Sequence, residues 1–368
     1  MTTQKSISIA MATYNGSKYI TEQLDSLANQ ELLPAEIVIT DDSSTDTTLE
    51  KVAEFSKNAP FPIHMHVNSD RLGYRKNFLK AASLCTSDLI AFCDQDDIWH
   101  PQKLKVMEQA LRDPDVLMAC HNSNVVDDNG HFIRLHNPDE VDSKIILPMA
   151  DSPWKFTAGF TQVFRRDLLK HTSLNSQSYD PNTDNDILAH DQWFSLLASL
   201  GTKAYIGYPL ADYRQHGGNL CGAPAELTQS IAERLHLKVE DRARLFTRLE
   251  RASVSIVGIF EELAASEEDG LYVEKSRITE AVKRWKSLSK LYTFRARSYT
   301  ARSFFERLKA VMNLAKLNAY NHRDIWSFGK KSFARDILLG VIAGPMITSL
   351  GANQSLIDAS IRSLETLL

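Results

Sequence analysis

Over the first hundred residues the apolar positions fall in blocks that switch between continuous runs and a three-to-four spacing. Ser6-Ile7-Ser8-Ile9-Ala10-Met11-Ala12 is a nearly unbroken apolar run, the mark of a strand covered on both faces. Residues 18–29 carry Ile20, Leu24 and Leu27 at helical spacing, and Pro34 ends the element. Glu36-Ile37-Val38-Ile39-Thr40 predicts a second strand, followed by Asp41-Asp42. Thr45 to Thr48 opens a helix carrying Leu49, Val52 and Phe55. Residues 62–67 predict a third strand, 75–84 a helix, and Leu89-Ile90-Ala91-Phe92-Cys93 a fourth strand.

This alternation predicts an α/β fold with a mostly parallel sheet flanked by helices. Ligands of such sheets lie outside the carboxyl ends of the strands. Three polar clusters stand at those ends: Thr13-Tyr14-Asn15-Gly16, Asp41-Asp42 and Asp94-Gln95-Asp96-Asp97. From 117 to 213 the pattern is less regular. After Gly222-Ala223-Pro224 it turns helical, over 226–265, 279–291 and 304–320. The expected organisation is a first domain over 1–225 and a helical one over 226–368.

At 368 residues, 43% hydrophobic and 24% charged, the chain is expected to fold around a sizeable core. Cys85, Cys93, Cys120 and Cys221 have no zinc-like spacing and fit reduced thiols of a cytoplasmic protein. The N-terminus does not fit a signal peptide. No apolar stretch reaches the roughly 20 residues that span a bilayer; Ile337 to Leu350 is broken by Gly344-Pro345. Charge is divided unevenly. Residues 1–225 hold 19 Lys/Arg and 29 Asp/Glu, whereas residues 275–335 hold 16 and 3. That basic stretch includes Trp285, Tyr292, Phe294, Tyr299, Phe304, Phe305 and Trp326. A solvated face, a nucleic-acid site and a surface for anionic lipid all fit such a composition.

Aspartates packed as closely as Asp94, Asp96 and Asp97 repel one another unless a cation joins them. Carboxylate oxygens suit hard divalent ions, Mg²⁺ or Mn²⁺, commonly shared with substrate phosphates. The alternative is a solvated turn capping the next helix.

The stretches SISIAMATYNGSKYITEQLDSL, EIVITDDSSTDTT and DLIAFCDQDDIWHPQKL, in that order, resemble the inverting glycosyltransferases of family 2, with the GT-A fold. The resemblance covers residues 5–220 and leans to the rhamnosyltransferase-like branch of bacterial surface-polysaccharide synthesis, O-antigen included. It implies a nucleoside-diphosphate sugar donor, dTDP-rhamnose by branch, and a glycan acceptor that is lipid-diphosphate-linked. It implies that Asp96 ligates the metal and Asp94 faces the ribose and sugar. It implies that Tyr14 stacks on the base, with Thr13 and Asn15 beside it, and that Asp42 bonds the base or ribose. Ser43-Ser44 departs from the family's glycine after the acidic pair. NSDRLGYRKN resembles a family segment near the nucleotide, which would set Arg71 and Arg75 toward phosphate; solvated charges are the other and favoured reading.

An inverting transfer needs one base for the acceptor hydroxyl. By resemblance Asp191, in LAHDQWF, is that base; a plain helix cap is the other reading, and His190 is a competing base or a partner of Asp191. In Tyr213-Arg214-Gln215-His216-Gly217-Gly218-Asn219, Arg214 is expected on phosphate and His216 on metal or diphosphate. WKFTAGFT resembles the segment that forms the acceptor floor, which would put Gly159 and Trp154 there; a buried, structural Trp154 is the other reading. The partners expected are the donor, the acceptor and the anionic inner face of the cytoplasmic membrane through the basic tail, with no nucleic acid and with homo-oligomerisation left open. A non-catalytic nucleotide-sugar scaffold and a metal-dependent phosphoryl-transfer enzyme are the rival functions, the latter without a Gly-rich phosphate loop.

Overall fold

A computed structural model describes residues 4–217, 239–266, 273–321 and 324–343. The expected boundary at 225, together with Gly218, Asn219 and Cys221, lies outside the described residues. The described chain forms two compact units. One holds residues 4–177, 187–217, 263–266 and 273–279; the other holds 178–186, 239–262, 280–321 and 324–343.

In the first unit the expected elements form within two or three residues of their predicted ends. They are β1 (Ile7–Thr13), α1 (Ile20–Ala28), β2 (Glu36–Asp41), α2 (Thr48–Ser56), β3 (Ile63–Val67), α3 (Tyr74–Leu84) and β4 (Leu89–Cys93). Strands β2 and β4 are buried at every position, as continuous apolar runs in a doubly covered parallel sheet should be. Helix α1 buries Ile20, Leu24 and Leu27, the three residues whose spacing predicts it. The edge strand β3 is largely exposed, and its His64 and His66 alternate with apolar residues.

The irregular stretch resolves into β5 (Ile98–Trp99), α4 (Lys103–Ala110), β6 (Val116–Val126), β7 (Phe132–Leu135), β8 (Lys144–Ile146), β9 (Gln162–Arg165), α5 (His190–Ala198) and β10 (Thr202–Arg214). The sheet order is β3-β2-β1-β4-β9-β6-β10-β5. β1 pairs in parallel with both β2 and β4, so the chain winds outward to β3 and returns on the other side of β1. The gap between the ends of β1 and β4 is therefore the switch point, where ligands of open sheets bind. β9 runs antiparallel to β4 and to β6, and β10 runs parallel to β6. Two reversals restore the original direction, so β6 and β10 end on the same rim as β1 and β4. A core of Ile9, Met11, Ile37, Ile39, Ala91 and Val163, among others, fixes this register.

The second unit is helical, with helices Val239–Ala265, Lys275–Thr300, Phe304–Lys316 and Lys330–Arg335; the first two each have one end in the other unit. A wider π-type turn, Asp336–Ala343, continues from the last helix and buries Val341. The apolar stretch expected to run to Leu350 continues outside the described residues. No helix among the described residues is long and apolar enough to cross a membrane. Cys85, Cys93 and Cys120 are free and buried.

The aromatic composition of the basic stretch needs correction. Trp285, Tyr292, Tyr299 and Trp326 are at most 9% exposed and form core, whereas Phe304 and Phe305 are 45% and 78% exposed. The basic residues divide likewise. Arg295 is buried and pairs with Asp336 at 3.1 Å, and Tyr299 and Tyr320 donate hydroxyls to that carboxylate at 2.8 and 3.0 Å. Asp336 is fully buried, so its charge depends on partners such as these. We expect Asp336→Ala to cost about 3 kcal/mol, because it leaves a buried guanidinium unpaired. A lower urea midpoint of the helical circular dichroism signal would show it; an unchanged midpoint would remove Asp336 as the anchor of this unit.

Candidate active site at the sheet switch point

The three polar clusters expected on one rim are fastened to one another. Gln95, the middle residue of the acidic cluster, brackets the Tyr14 backbone: its Oε1 accepts from Tyr14 N at 2.9 Å and its Nε2 donates to Tyr14 O at 3.1 Å. A Cβ on Gly16 would lie 2.2 Å from Gln95 Oε1, so only glycine lets the two loops close on each other. Asn15, at a left-handed φ of 47°, accepts Thr45 N at its Oδ1 (2.8 Å). Thr13 donates to Asp41 Oδ2 at 2.7 Å.

The acidic pair after β2 divides its work. Asp41 is fully buried and holds the turn through Ser44, by N–H at 2.7 Å and hydroxyl at 2.6 Å. Ser43 stands at φ 65°, a left-handed conformation that glycine adopts freely, and its hydroxyl donates to Asn68 O at 2.9 Å. Asp42 faces the other way. Its carboxylate accepts Leu72 N (2.6 Å), Gly73 N (2.8 Å) and Asn68 Nδ2 (3.0 Å). Asp42 was expected on the base or ribose; here it organises the 68–73 loop that covers that end of the rim. That loop lays Arg71 over the Tyr14 ring at 3.9 Å, on the ring expected to stack on a base. Arg75 is turned from the expected phosphate side and donates to Ile187 O at 2.5 Å.

At the end of β4 the acids crowd. Asp94 is partly buried, and burial, then the charges of Asp96 and Asp191, push its carboxyl up to about 8. Asp97 is 1% exposed; burial, Asp94 and Asp96 push it well above the usual carboxylate range. It accepts Arg214 N at 3.2 Å, joining the loop to β10. Beneath the loop lies Lys103, fully buried, its ammonium 3.3 Å from the Trp99 ring centroid and donating to Phe160 O at 2.7 Å. Burial lowers it to about 7, against the pull of Cys93, Asp97 and Asp94. It is the buried countercharge of the acid cluster.

The end of β10 comes to the same rim. His216 Nε2 lies 2.9 Å from Asp96 Oδ2, and its ring stacks on Tyr19 at 4.7 Å. Arg214, expected to grip phosphate, is 3% exposed and braces the rim: it donates to Asp96 O (3.1 Å), Asp128 O (2.9 Å) and Glu22 Oε2 (2.6 Å). Asp128, just past β6, also bonds Lys18 at 2.6 Å and the Tyr19 hydroxyl.

Asp191 is the second residue of α5, where the helix macrodipole favours a carboxylate. Its Oδ1 accepts Gln192 N at 2.9 Å, and Gln162 Nε2 holds its carbonyl at 3.1 Å. His190 is 6% exposed, stacked on Phe78 at 4.0 Å and edge-on to Phe92 at 4.7 Å. Burial drives its imidazole down to about 4. Gly159 lies against both: a Cβ there would be 2.7 Å from His190 Nε2 and 3.4 Å from the Asp191 Cβ. Trp154 is half-buried in a turn five residues earlier. The rim thus brings together Thr13, Tyr14, Asn15, Asp94, Asp96, Asp191 and His216, while Asp42, Arg75 and Arg214 hold loops. Gln95, Lys103, Tyr19 and Asp128 were not anticipated. Gln95 stands inside the quoted motif, but nothing in the sequence marks its side chain as turned toward Tyr14.

Known proteins share this plan. A family profile described as "Glycosyl transferase family 2" matches residues 8–172. The dTDP-rhamnosyl transferase RfbG of Shigella flexneri is 33% identical over 231 residues, 58% of this chain and 74% of that protein. The abequosyltransferase RfbV of Salmonella typhimurium is 33% identical over 134 residues, 36% of this chain and 39% of that protein. The crystal structure of S. aureus TarS 1–349 in complex with UDP-GlcNAc aligns with a TM-score of 0.51 at 19% identity, over 85% of this chain and 81% of that one. A parallel sheet with its switch point between β1 and β4, three interlocked polar loops on that rim and a profile that spans them make this chain a member of glycosyltransferase family 2, on the GT-A fold.

Proposed function

We propose that the chain moves a sugar, with inversion, from a nucleoside-diphosphate donor to a glycan hydroxyl in bacterial surface-polysaccharide synthesis, O-antigen included. The observation that carries this reading is the fastening of the Tyr14 loop to the Asp94–Asp97 loop at the switch point, with His216 Nε2 2.9 Å from Asp96 Oδ2 on the same rim. Rhamnose from dTDP-rhamnose is the donor we favour, on the 33% identity to a dTDP-rhamnosyl transferase.

A divalent ion fits the donor set. Asp96 Oδ2 and His216 Nε2 stand 2.9 Å apart, near the roughly 3 Å between adjacent ligands of an octahedral ion with bonds of ~2.1 Å. Among the described residues no group of three or more His, Cys, Asp or Glu is set to hold a metal. Asp96 and His216 would therefore supply two ligands and leave the remainder to donor phosphates and water, the usual arrangement for Mg²⁺ and open to Mn²⁺. When bound, the ion supplies Lewis-acid stabilisation of the departing diphosphate.

The chain's own residues do the rest. Tyr14, with Thr13 and Asn15, lines the base side of the rim, and the Arg71 guanidinium moves off the Tyr14 face as the base takes it. Asp94 faces the ribose and sugar. Asp191 accepts the proton of the acceptor hydroxyl as that oxygen attacks the anomeric carbon. Gly159 keeps the space beside Asp191 open for the acceptor, with Trp154 at its margin. His190 is a packing residue whose neutral ring fixes the start of α5, not the base. The basic helical region seats the enzyme at the anionic inner surface of the cytoplasmic membrane, where a lipid-diphosphate-linked acceptor is presented.

Two outcomes test these roles. Asp191→Asn keeps donor binding and lowers transfer by about a thousandfold, with the wild-type product inverted at the anomeric carbon by NMR; undiminished transfer would reject Asp191 as base, and a retained configuration would reject the single displacement. For His190, the folded imidazole near 4 lies below the unfolded value of 6.5, so stability is present above pH 6.5 and is lost as pH falls toward 4. Between pH 7 and 5 this loss is about 2 kcal/mol. In His190→Gln the unfolding free energy from denaturant titration should fall that much less over the same range; an equal fall in both proteins would place the titrating group elsewhere.

A further inference from the structure

We propose that one stripe of the helix Phe304–Lys316 is the surface that lies on anionic lipid; this rests on the membrane reading above and gives it an address. The helix buries Arg307, Ala310, Val311 and Leu314. At 100° per residue the diametrically opposite line holds Phe305, Lys309, Met312 and Lys316, spaced i, i+4, i+7 and i+11. Phe305 is 78% exposed and Met312 48%, and Phe304 beside them is 45% exposed. A soluble helix normally turns its large apolar side chains inward, so an outward aromatic and thioether flanked by two lysines is a feature to be explained.

Charge and shape select the occupant. The helix has one acid, Glu306, which faces Arg297 at 3.8 Å. Lys309 and Lys316 enter no salt bridge among the described residues, and Arg302 stands exposed just before the helix. Apolar and cationic side chains alternate along a single line, so both can be satisfied only where hydrocarbon and negative charge lie at the same depth. The headgroup region of an anionic bilayer offers that; Phe305 and Met312 enter the acyl boundary while Lys309 and Lys316 meet lipid phosphates. The other aromatics of the basic stretch named above as core have no part in this surface.

The test is flotation of the full chain with vesicles of phosphatidylcholine alone or with 30% phosphatidylglycerol, about a third being anionic. The wild type should float with the anionic vesicles and stay behind with the neutral ones. Phe305→Ser with Met312→Ser should lose flotation at least tenfold, and Lys309→Glu with Lys316→Glu at least twenty-five-fold, about fivefold per lysine removed. Lys283→Glu with Lys286→Glu, exposed on the neighbouring helix, should change it less than twofold. Equal losses in that control would overturn the stripe in favour of diffuse charge. Unchanged flotation of the Phe305/Met312 variant would overturn it outright, as would lipid-independent self-association that this variant abolishes. Donor binding, measured without vesicles, should be the same in every variant. Its absence in the wild type would sink the transferase reading and leave the flotation result standing.

Discussion

The structure turns on carboxylates held away from water. Burial, with the charges of Asp96 and Asp191 adding to it, raises the Asp94 carboxyl to about 8. A protein that only needed a turn after β4 would not assemble this arrangement, because each close carboxylate pair disfavours the folded state. The cluster is tolerable because Lys103 lies buried beneath it and because the Gln95 bracket, the Asp97 link to Arg214 N and the Asp96–His216 pair fix where each acid points. The remaining negative charge faces the rim, where a cation and a diphosphate would neutralise it.

Most side chains that fix this geometry bond other parts of the protein. Arg214 ties the 94–97 loop to the loop after β6 and to α1; Asp42 closes the 68–73 loop; Arg75 holds the approach to α5. Such braces are charged residues with every feature of ligand-binding groups except their direction. Their substitution would be expected to impair activity through misplaced loops, since a displacement of ~1 Å at a reacting centre costs about a hundredfold.

The first ninety residues were legible because β1, β2 and β4 are covered on both faces and write themselves as apolar runs, and because α1 repeats at helical spacing. The stretch from 117 to 213 was not. β9 is four residues long and buried, its glutamine and arginine donating to groups inside the protein, so no alternation betrays it. β10 is broken by register shifts around Pro209. At the site, residue type and motif order pointed to the rim but could not distinguish a carboxylate that faces the rim (Asp96) from one that faces a loop (Asp42). In the basic stretch the same blindness merged two populations, core aromatics such as Trp285 and an outward stripe led by Phe305.

The central claim is that the rim acids carry a divalent ion to a nucleotide diphosphate. Calorimetric titration of dTDP-rhamnose into the protein, with Mn²⁺ and then with a chelator, measures this linkage. The account predicts at least a tenfold weakening of binding without the ion in the wild type, and weak, ion-independent binding in Asp96→Ala. Equal affinity with and without the ion, in a protein that binds the donor well, would contradict it.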